Sequence, residues 1–151
     1  MANFNEAAVT SLRDKVISVP MGLGIFERVN GHEPKNAPGN GPSCSVWVDQ
    51  VAPLPQASGL GSVTGMVVFT VRVYLPMLAE PQDGIDGQLL AATCALWGAY
   101  AGGFTLGGTV RDVDLFKMSA KAGYLNQDGR LFRVMDTTLP VVINDMFAES
   151  S

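Results

Sequence analysis

The stretch Gly65–Pro76, GMVVFTVRVYLP, decides the fold, because its side chains alternate between two faces. Every second residue from Val67 to Leu75 is apolar, which is the period of a β-strand that packs one face on a hydrophobic core. The residues between them, which include Arg72 and Tyr74, are mixed in polarity, although a strand face open to water is usually more polar. We therefore predict a central strand whose second face is partly covered by a neighbouring molecule.

Helical periodicity is present before this strand. Apolar residues recur there at helical spacing, namely Val9, Leu12, Val16 and Val19. Asn3 is placed to cap this first helix, with Glu6 reaching back to the cap. Pro20 is predicted to end the helix, because proline cannot donate the helical hydrogen bond.

A second helix is predicted after Pro81. Asp83 or Asp86 would cap it and place negative charge at its positive end, and Gly102-Gly103 would end it. Its apolar stripe consists of Ile85, Leu89, Ala92, Thr93, Leu96, Trp97 and Tyr100. We expect this stripe to pack on the sheet.

The other strands are predicted from shorter segments, which are Gly24–Val29, Ser43–Val51, Thr109–Lys117, the hairpin Tyr124–Leu125 with Arg130–Met135, and Thr137–Ile143. An Asp-Gly pair marks the hairpin turn. Helices before and within a series of strands that are joined mostly by hairpins indicate an α+β fold. We predict a single domain over residues 1–151, with a mixed, mostly antiparallel β-sheet flanked by helices in the order α-β-β-β-α-β-β.

The composition restricts the partners that the protein can have. Only 16% of the residues are charged, below the roughly 25% of an average soluble protein, which favours a surface partly covered by other chains. The net charge is −4 and there is no basic run, which argues against tight binding of phosphates. We expect no secretory signal and no membrane-spanning segment, and therefore synthesis in a cytoplasm. Cys44 and Cys94 are expected to be buried free thiols.

No group of residues has the sequence pattern of a catalytic or cofactor site. His32 is the only histidine, and no nucleophile motif accompanies it. The glycine-rich segments Pro20–Gly24 and Ala37–Cys44 lack the lysine and the element order of a phosphate-binding loop. Asp112 and Asp114 are one pleat apart and are expected to point the same way, so they could serve acid–base chemistry, bind a cation or form an acidic surface. We expect no enzymatic activity, no cofactor and no metal.

Three segments resemble the tail terminator proteins of long-tailed, siphovirus-type bacteriophages. They are VVFTVRVYLP, GIDGQLLAATCALWGAYAGGF and AGYLNQDGRLFRVMDTTLPVVINDMF, and the likeness extends from the first predicted helix to Phe147. The last segment resembles the closing hairpin and strand of terminators from phages of actinobacteria. The resemblance implies a mixed sheet flanked by helices, in a hexameric ring that caps the head-proximal end of the tail tube, with no cofactor and no catalysis.

The same resemblance implies the partners. The ring would stop polymerisation of the tail tube protein and would present the surface that joins the head-completion or connector protein. DNA would pass through its channel without specific binding, and no membrane would be involved. The protein would assemble in the host cytoplasm and reside in the neck region of the virion tail.

The predicted site residues follow from this ring. Subunit or partner contacts are expected at Trp47, Arg72, Tyr74, Arg130, Arg133, Val141, Ile143 and Phe147, and channel-lining carboxylates at Asp83, Asp86, Asp112 and Asp114. The segment VMDTTLPVVINDMF, Val134–Phe147, is expected to pair within its own sheet as far as Thr138. Because Pro140 lacks an N–H and belongs at an edge or bulge, Val141–Phe147 would lie near the neighbouring subunit.

Two alternatives stay open at this point. Another neck component, such as a head-closure or tail-completion protein, would share the assembly principle and could share the fold. A small ligand-binding or enzymatic domain with a site near Asp112 and Asp114 belongs to a different class. Persistent monomers with a buried pocket at these two residues would favour the second alternative.

Overall fold

Two helices and six strands make up the part of the chain that the computed structural model describes, which is residues 6–31, 41–53, 62–77, 84–103, 112–114, 117–127 and 129–148. The helices are α1 (Glu6–Leu23) and α2 (Ile85–Gly102). The strands are β1 (Arg28–Asn30), β2 (Ser43–Pro53), β3 (Ser62–Pro76), β4 (Asp112–Val113), β5 (Ser119–Gln127) and β6 (Arg130–Ala148). Within these ranges, neither helix combines the length and the apolar character that crossing a bilayer requires.

One sheet contains all the described strands. Its order is β1-β2-β3-β6, and β4 and β5 both pair with the edge of β6 that faces away from β3. β1 runs parallel to β2, and the other described pairs are antiparallel. The predicted α+β class with a mixed, mostly antiparallel sheet is confirmed. Apart from the two-residue β4, the elements follow the predicted order α-β-β-β-α-β-β.

The core lies between one face of the sheet and both helices. The alternating apolar residues of β3, from Val67 to Leu75, are buried as predicted. The helices pack on this face through Leu12, Val16, Ile85, Leu89, Ala92, Leu96 and Tyr100. Each large apolar side chain that is buried in this way contributes about 1.5–3 kcal/mol to the stability of the fold. We call the opposite face, on which no described helix packs, the helix-free face.

Helix α1 continues through Pro20 to Leu23, so the prediction that Pro20 ends it is wrong. Pro20 has no N–H to donate to the carbonyl of Val16, four residues earlier. The hydroxyl of Tyr100 in α2 donates to that carbonyl instead, at 2.9 Å. The lost bond is thus replaced from the neighbouring helix, and the last turn of α1 remains helical.

Strand β6 pairs with β3 from Phe132 to Ala148, so its pairing does not stop at Thr138 as predicted. Pro140 lies in the interior of this strand, and its carbonyl accepts a hydrogen bond from the N–H of Asp114 at 2.8 Å. Both polar groups of a strand residue point to the same side, so the proline nitrogen also faces away from β3. On that side β5 ends opposite Thr138, so the missing N–H falls in a break between β5 and β4. The prediction that Pro140 lies at an edge or bulge is therefore wrong, because β6 is an interior strand and the break beside Pro140 accommodates the missing N–H instead.

The predicted strand Thr109–Lys117 is strand only at Asp112–Val113 in the described part of the chain. The N–H of Lys117 donates to the carbonyl of Asp114 at 3.1 Å, which turns the chain away from an extended path. Among the side chains that are described in this segment, that of Val113 is buried. Neither face of the predicted segment is apolar throughout, so its sequence carries a weaker strand signal than that of β3.

The predicted hairpin is confirmed, and its first arm is longer than expected. Gln127 lies opposite Arg130, and Gly129 in the turn has a φ of 73°, a left-handed conformation that glycine adopts without strain. β5 begins at Ser119, five residues before the predicted start at Tyr124. The extension Ser119–Gly123 was missed because it contains no large apolar residue and therefore shows no apolar alternation.

Helix α2 ends as predicted but begins differently from the prediction. Gly84 is the N-cap and makes no side-chain capping bond, and Asp86 lies inside the first turn rather than at the cap. Gly103 donates its N–H to the carbonyls of Ala99 and Tyr100, which confirms the predicted end of the helix. Asp83 lies outside the described residues.

The two cysteines are free, as predicted, but only one of them is buried. Cys44 packs in the core between the sheet and the helices, and burial raises the pKa of its thiol to about 12. Cys94 lies on an exposed position of α2, because it falls outside the apolar stripe of that helix. His32 lies outside the described residues.

Candidate interaction surface

Three side chains from three adjacent strands form one assembled unit on the helix-free face. Arg72 of β3 lies directly opposite Asp136 of β6. Its guanidinium donates from Nε to Oδ1 of Asp136 at 2.7 Å and from Nη2 to Oδ2 at 3.0 Å. The Cζ atom of Arg72 also lies 5.1 Å from the centroid of the Trp47 ring in β2. We call these three residues the Trp47–Arg72–Asp136 cluster.

Contacts within the chain itself fix the geometry of this cluster. A bidentate pair between arginine and a carboxylate fixes the plane of the guanidinium, and the indole face holds it from a second direction. The Arg72 side chain is 17% exposed and that of Asp136 is 33% exposed, so both are accessible yet partly shielded from water. Tryptophan and arginine in such rigid, half-buried positions are typical of the residues that dominate binding energy at protein interfaces. The predicted contact residues Trp47 and Arg72 therefore occupy one surface.

Tyr74 does not belong to that surface, although it lies on the same face of β3. Its side chain is fully buried, and its hydroxyl shares a hydrogen bond with the hydroxyl of Ser45. Its ring meets that of Phe132 edge to face, with centroids 6.4 Å apart. Burial raises the pKa of the Tyr74 phenol above its usual range. We therefore withdraw Tyr74 as a contact residue, because its side chain is enclosed by its own chain.

Arg133 joins the hairpin of β5 and β6 to the start of α2. Its Nε donates to Oδ1 of Asp86 at 2.9 Å, and its Nη1 donates to the carbonyl of Gly123 at 3.0 Å. The guanidinium lies 4.4 Å from the centroid of the Tyr124 ring. The hydrogen bond to Asp86 raises the pKa of Arg133. A predicted contact residue and a predicted channel carboxylate are thus paired with each other, so Asp86 does not present an isolated negative charge.

Arg130 repeats the cation–aromatic arrangement at the other end of the hairpin. Its Cζ atom lies 5.2 Å from the centroid of the Phe132 ring. Arg130 itself is half-buried. The three predicted arginines thus each stack on an aromatic ring of the same chain, which limits their rotamers.

Burial rules out two of the predicted contact residues in the last part of β6. Val141 and Ile143 are core residues on the helix side of the sheet, with relative exposures of 0% and 4%. Their partners across the sheet are Val67 and Gly65 of β3. We withdraw both side chains as subunit contacts, because the chain itself buries them. The side chain of Phe147 lies outside the described part of the chain.

The predicted channel carboxylates are described only in part. Asp114 is half-buried, and its backbone N–H is fixed to Pro140. The side chain of Asp112 lies outside the described part, so the expectation that Asp112 and Asp114 point the same way stays a prediction. Among the side chains that are described, no three histidine, cysteine, aspartate or glutamate groups converge as metal ligands.

Sequence reasoning missed Asp136, the residue that fixes Arg72. Its neighbours Val134 and Thr138 share its face of β6, so alternation alone places it on the helix-free side. The missing information was the register, which pairs residues 64 positions apart in the sequence. An acidic residue on a strand that could lie opposite Arg72 is the sequence signal that could have identified Asp136.

Comparisons with known proteins identify no family for this chain. The chain matches no protein-family model, and no curated protein matches it in sequence.

Proposed function

We propose that this protein is a tail terminator of a long-tailed bacteriophage. In this role it forms a ring, hexameric by the resemblance of its sequence, that caps the head-proximal end of the tail tube and stops tube polymerisation. The ring provides the surface to which the head-completion or connector protein joins, and DNA passes through its channel. The protein is then a structural component of the virion neck, without catalytic activity or a cofactor.

The Trp47–Arg72–Asp136 cluster is the observation that carries this proposal. A sheet that is covered by helices on one side and carries a rigid aromatic–cationic group on the other is suited to bind a protein surface. The paired ions cost little reorganisation on docking, because their geometry is already fixed. An assembly protein needs such a preformed face. An enzyme would need a free nucleophile or base, and the cluster has none, because the Asp136 carboxylate is paired and the Arg72 guanidinium is stacked.

The charge of the chain supports the channel part of the proposal. At a net charge of −4, each added subunit makes the ring more acidic. Carboxylates near the channel would repel the phosphate backbone, and DNA would slide rather than bind. Asp83, Asp112 and Asp114 are the candidates that we retain for this lining, and Asp86 contributes less because Arg133 is its partner.

Electron microscopy of the purified protein tests the proposal, with and without tail tube subunits. We expect rings, and caps at one end only of tubes that have stopped growing. Arg72→Ala should abolish capping, while Lys15→Ala, at an exposed position of α1, serves as the matched control. Folded protein that neither forms rings nor caps tubes would overturn the proposal and favour another component of the neck.

A further inference from the structure

β5 has one paired edge and one open edge within the described part of the chain. Gln127 and Arg130 flank a two-residue turn, so they exchange both of their backbone hydrogen bonds. The alternation of an antiparallel pair then points the backbone N–H and C=O groups of four residues away from β6, namely Ala120, Ala122, Tyr124 and Asn126. The bond from Met77 N–H to the Leu131 carbonyl, which points toward β3, agrees with this alternation. No described strand pairs with this outer edge.

β2 has the second open edge of the sheet. β1 pairs with β2 only at Ser43–Ser45, and no other described strand covers the rest of that edge. By the same alternation, the backbone groups that point outward beyond this segment are those of Val46, Val48 and Val51, together with the carbonyl of Pro53. The alternation shifts by one residue because the register between β2 and β3 is irregular between Val48 and Gln50.

The two open edges can pair with each other, because their strand directions are compatible and their outward-pointing residues lie on the same face of the sheet. β2, β3, β6 and β5 are consecutive antiparallel strands and even in number, so β2 and β5 run in opposite directions. A second copy in the same orientation can therefore place its β2 antiparallel to β5. The outward residues of both strands, such as Val46 and Ala122, also lie on the helix side of the sheet, because Ala122 is opposite Met135 and Val46 is opposite Val71. The sheet would continue from copy to copy with its helices always on one side.

We infer that β5 of one copy pairs with the segment 46–53 of β2 in the next copy. This inference rests on the ring proposed above and identifies the joint between its subunits. The contact is heterologous, using a different edge on each partner, so repeating it closes a ring when the rotation between copies divides a full turn. The occupant of the β5 edge is therefore a second copy of this chain.

Charge and apolar exposure fix the register of this joint. Lys121 is the one charged residue of β5, and Asp49 is the one charged residue of β2. Both are exposed. They meet when Ala122 is opposite Val48 and Ala120 is opposite Val51, with the irregular segment at Asp49 facing Lys121. The paired part of β5 is then Ala120–Tyr124, and the hairpin tip from Leu125 onward must bend away from the segment that β1 covers in the next copy. The same register brings the exposed Val51 side chain, 45% accessible, against the neighbouring copy.

The length of β5 makes an open edge costly for an isolated chain. It spans nine residues without proline and with a single lysine as protection. Long edges of this kind normally carry several charges, a proline or a covering segment, because they otherwise pair with other chains at random. Pairing with β2 of the next copy would cover the β5 edge and so prevent random pairing with other chains.

Cysteine cross-linking tests the joint directly. On a Cys94→Ala background, the double variant Ala120→Cys/Val51→Cys places two exposed thiols opposite each other in adjacent copies. Mild oxidation should give a ladder of covalent multimers on a non-reducing gel that ends at the ring size. Ala120→Cys/Leu90→Cys, whose second thiol lies at an exposed position of α2, is the matched control and should run as a monomer on the non-reducing gel. Ala120→Cys/Asn126→Cys detects the competing antiparallel pairing of two β5 strands, which would yield covalent dimers only.

Ring formation is measured separately, by native mass spectrometry without oxidant. Rings with no ladder from Ala120→Cys/Val51→Cys, or covalent dimers from Ala120→Cys/Asn126→Cys, would overturn the joint and leave the proposed function standing. Folded monomers at assembly concentrations would overturn both. Charge reversal gives an independent check: Asp49→Lys should weaken ring assembly by up to about fivefold, because it would face Lys121 of the next copy, and adding Lys121→Asp should restore assembly. Because Lys121 also lies opposite Asp136 of its own chain, urea unfolding of Lys121→Asp alone measures the part of its effect that arises within the subunit. Lys15→Asp, which makes the same charge change on α1, should leave assembly unchanged, and failure of the double variant to restore rings would count against the register.

Discussion

The hydroxyl of Tyr100 donates a hydrogen bond to the carbonyl of Val16, the acceptor that Pro20 leaves without its helical donor. Tyr100 and Val16 are both fully buried. A buried carbonyl without a donor would cost about 1–3 kcal/mol, so this single contact lets a proline stand inside α1 and also ties α1 to α2.

Replacing Tyr100 with Phe should lower the free energy of unfolding by about 1–3 kcal/mol, because the Val16 carbonyl would lose its donor. In a Pro20→Ala background the loss should be smaller, since the substituted alanine would supply a helical N–H to the same carbonyl. Urea unfolding of both single variants and the double variant measures this coupling. Tyr124→Phe, at an exposed site, is the control. Equal losses in the two backgrounds would contradict the compensating role of Tyr100.

The bond between Arg72 and Asp136 should stabilise the sheet as well as shape its surface. Arg72→Ala and Asp136→Ala should each cost about 1.5–3 kcal/mol, and a double-mutant cycle should reveal coupling between them. Arg72→Lys should recover little of the loss, because an ammonium group cannot make the two parallel bonds. Chemical denaturation supplies the measurement. Full recovery with lysine would show that charge alone, rather than bidentate geometry, holds the pair.

Two glycines should respond to alanine in opposite directions. Gly98 lies within α2 and has open space around the position of a Cβ, so Gly98→Ala should stabilise the protein by about 0.5–1 kcal/mol. Gly129 has a φ of 73°, so Gly129→Ala should destabilise it by about 1 kcal/mol through strain in the hairpin turn. Thermal and urea unfolding of both variants compare the two effects. Destabilisation by Gly98→Ala would mean that this face of α2 is packed against another chain.

Burial of the Cys44 thiol should make stability depend on pH in alkaline solution. Its pKa is about 12 in the folded chain, against 9.0 for an unperturbed thiol, so between these values the folded state holds a proton that the unfolded state has lost. Stability is therefore fully present below pH 9 and falls above it by up to about 1.4 kcal/mol per pH unit. Unfolding at pH 8 to 10 should show this decline, and Cys44→Ala should flatten it.

Thiol labelling offers a second measurement of the same difference between the cysteines. In the native protein at pH 8 only the exposed Cys94 should react, and a second equivalent should appear on unfolding. Cys94→Ala should reduce native labelling to zero. Rapid native reaction of Cys44 would mean that the core opens readily at β2.

The fold was predictable wherever one face of an element is continuously apolar. The alternation of β3 and the stripe of α2 identified both elements and their buried faces. Pro20 and Thr138 were misjudged because their outcome depends on partners far along the chain, Tyr100 for the first and β3 for the second. β5 was underestimated because an exposed strand of small residues carries no periodic signal.

The candidate surface was predictable to a lesser degree. Trp47 and Arg72 were both among the expected contact residues, and they do lie together. Tyr74, Val141 and Ile143 were chosen with them because strand alternation does not show which positions the chain covers itself. Their burial depends on the pairing of β6 with β3, which no local pattern contains.

The central position of β6 has a consequence for the order of events during synthesis. β6 pairs with β3, β4 and β5, and its contact with Arg72 spans 64 residues of sequence. Pairing over such separations is slow and waits for the later strand to leave the ribosome. In the described fold β5 is held only by β6, so a nascent chain that lacks β6 cannot display an ordered β5. If copies assemble through β5 as we infer, a chain without β6 would be excluded from that assembly.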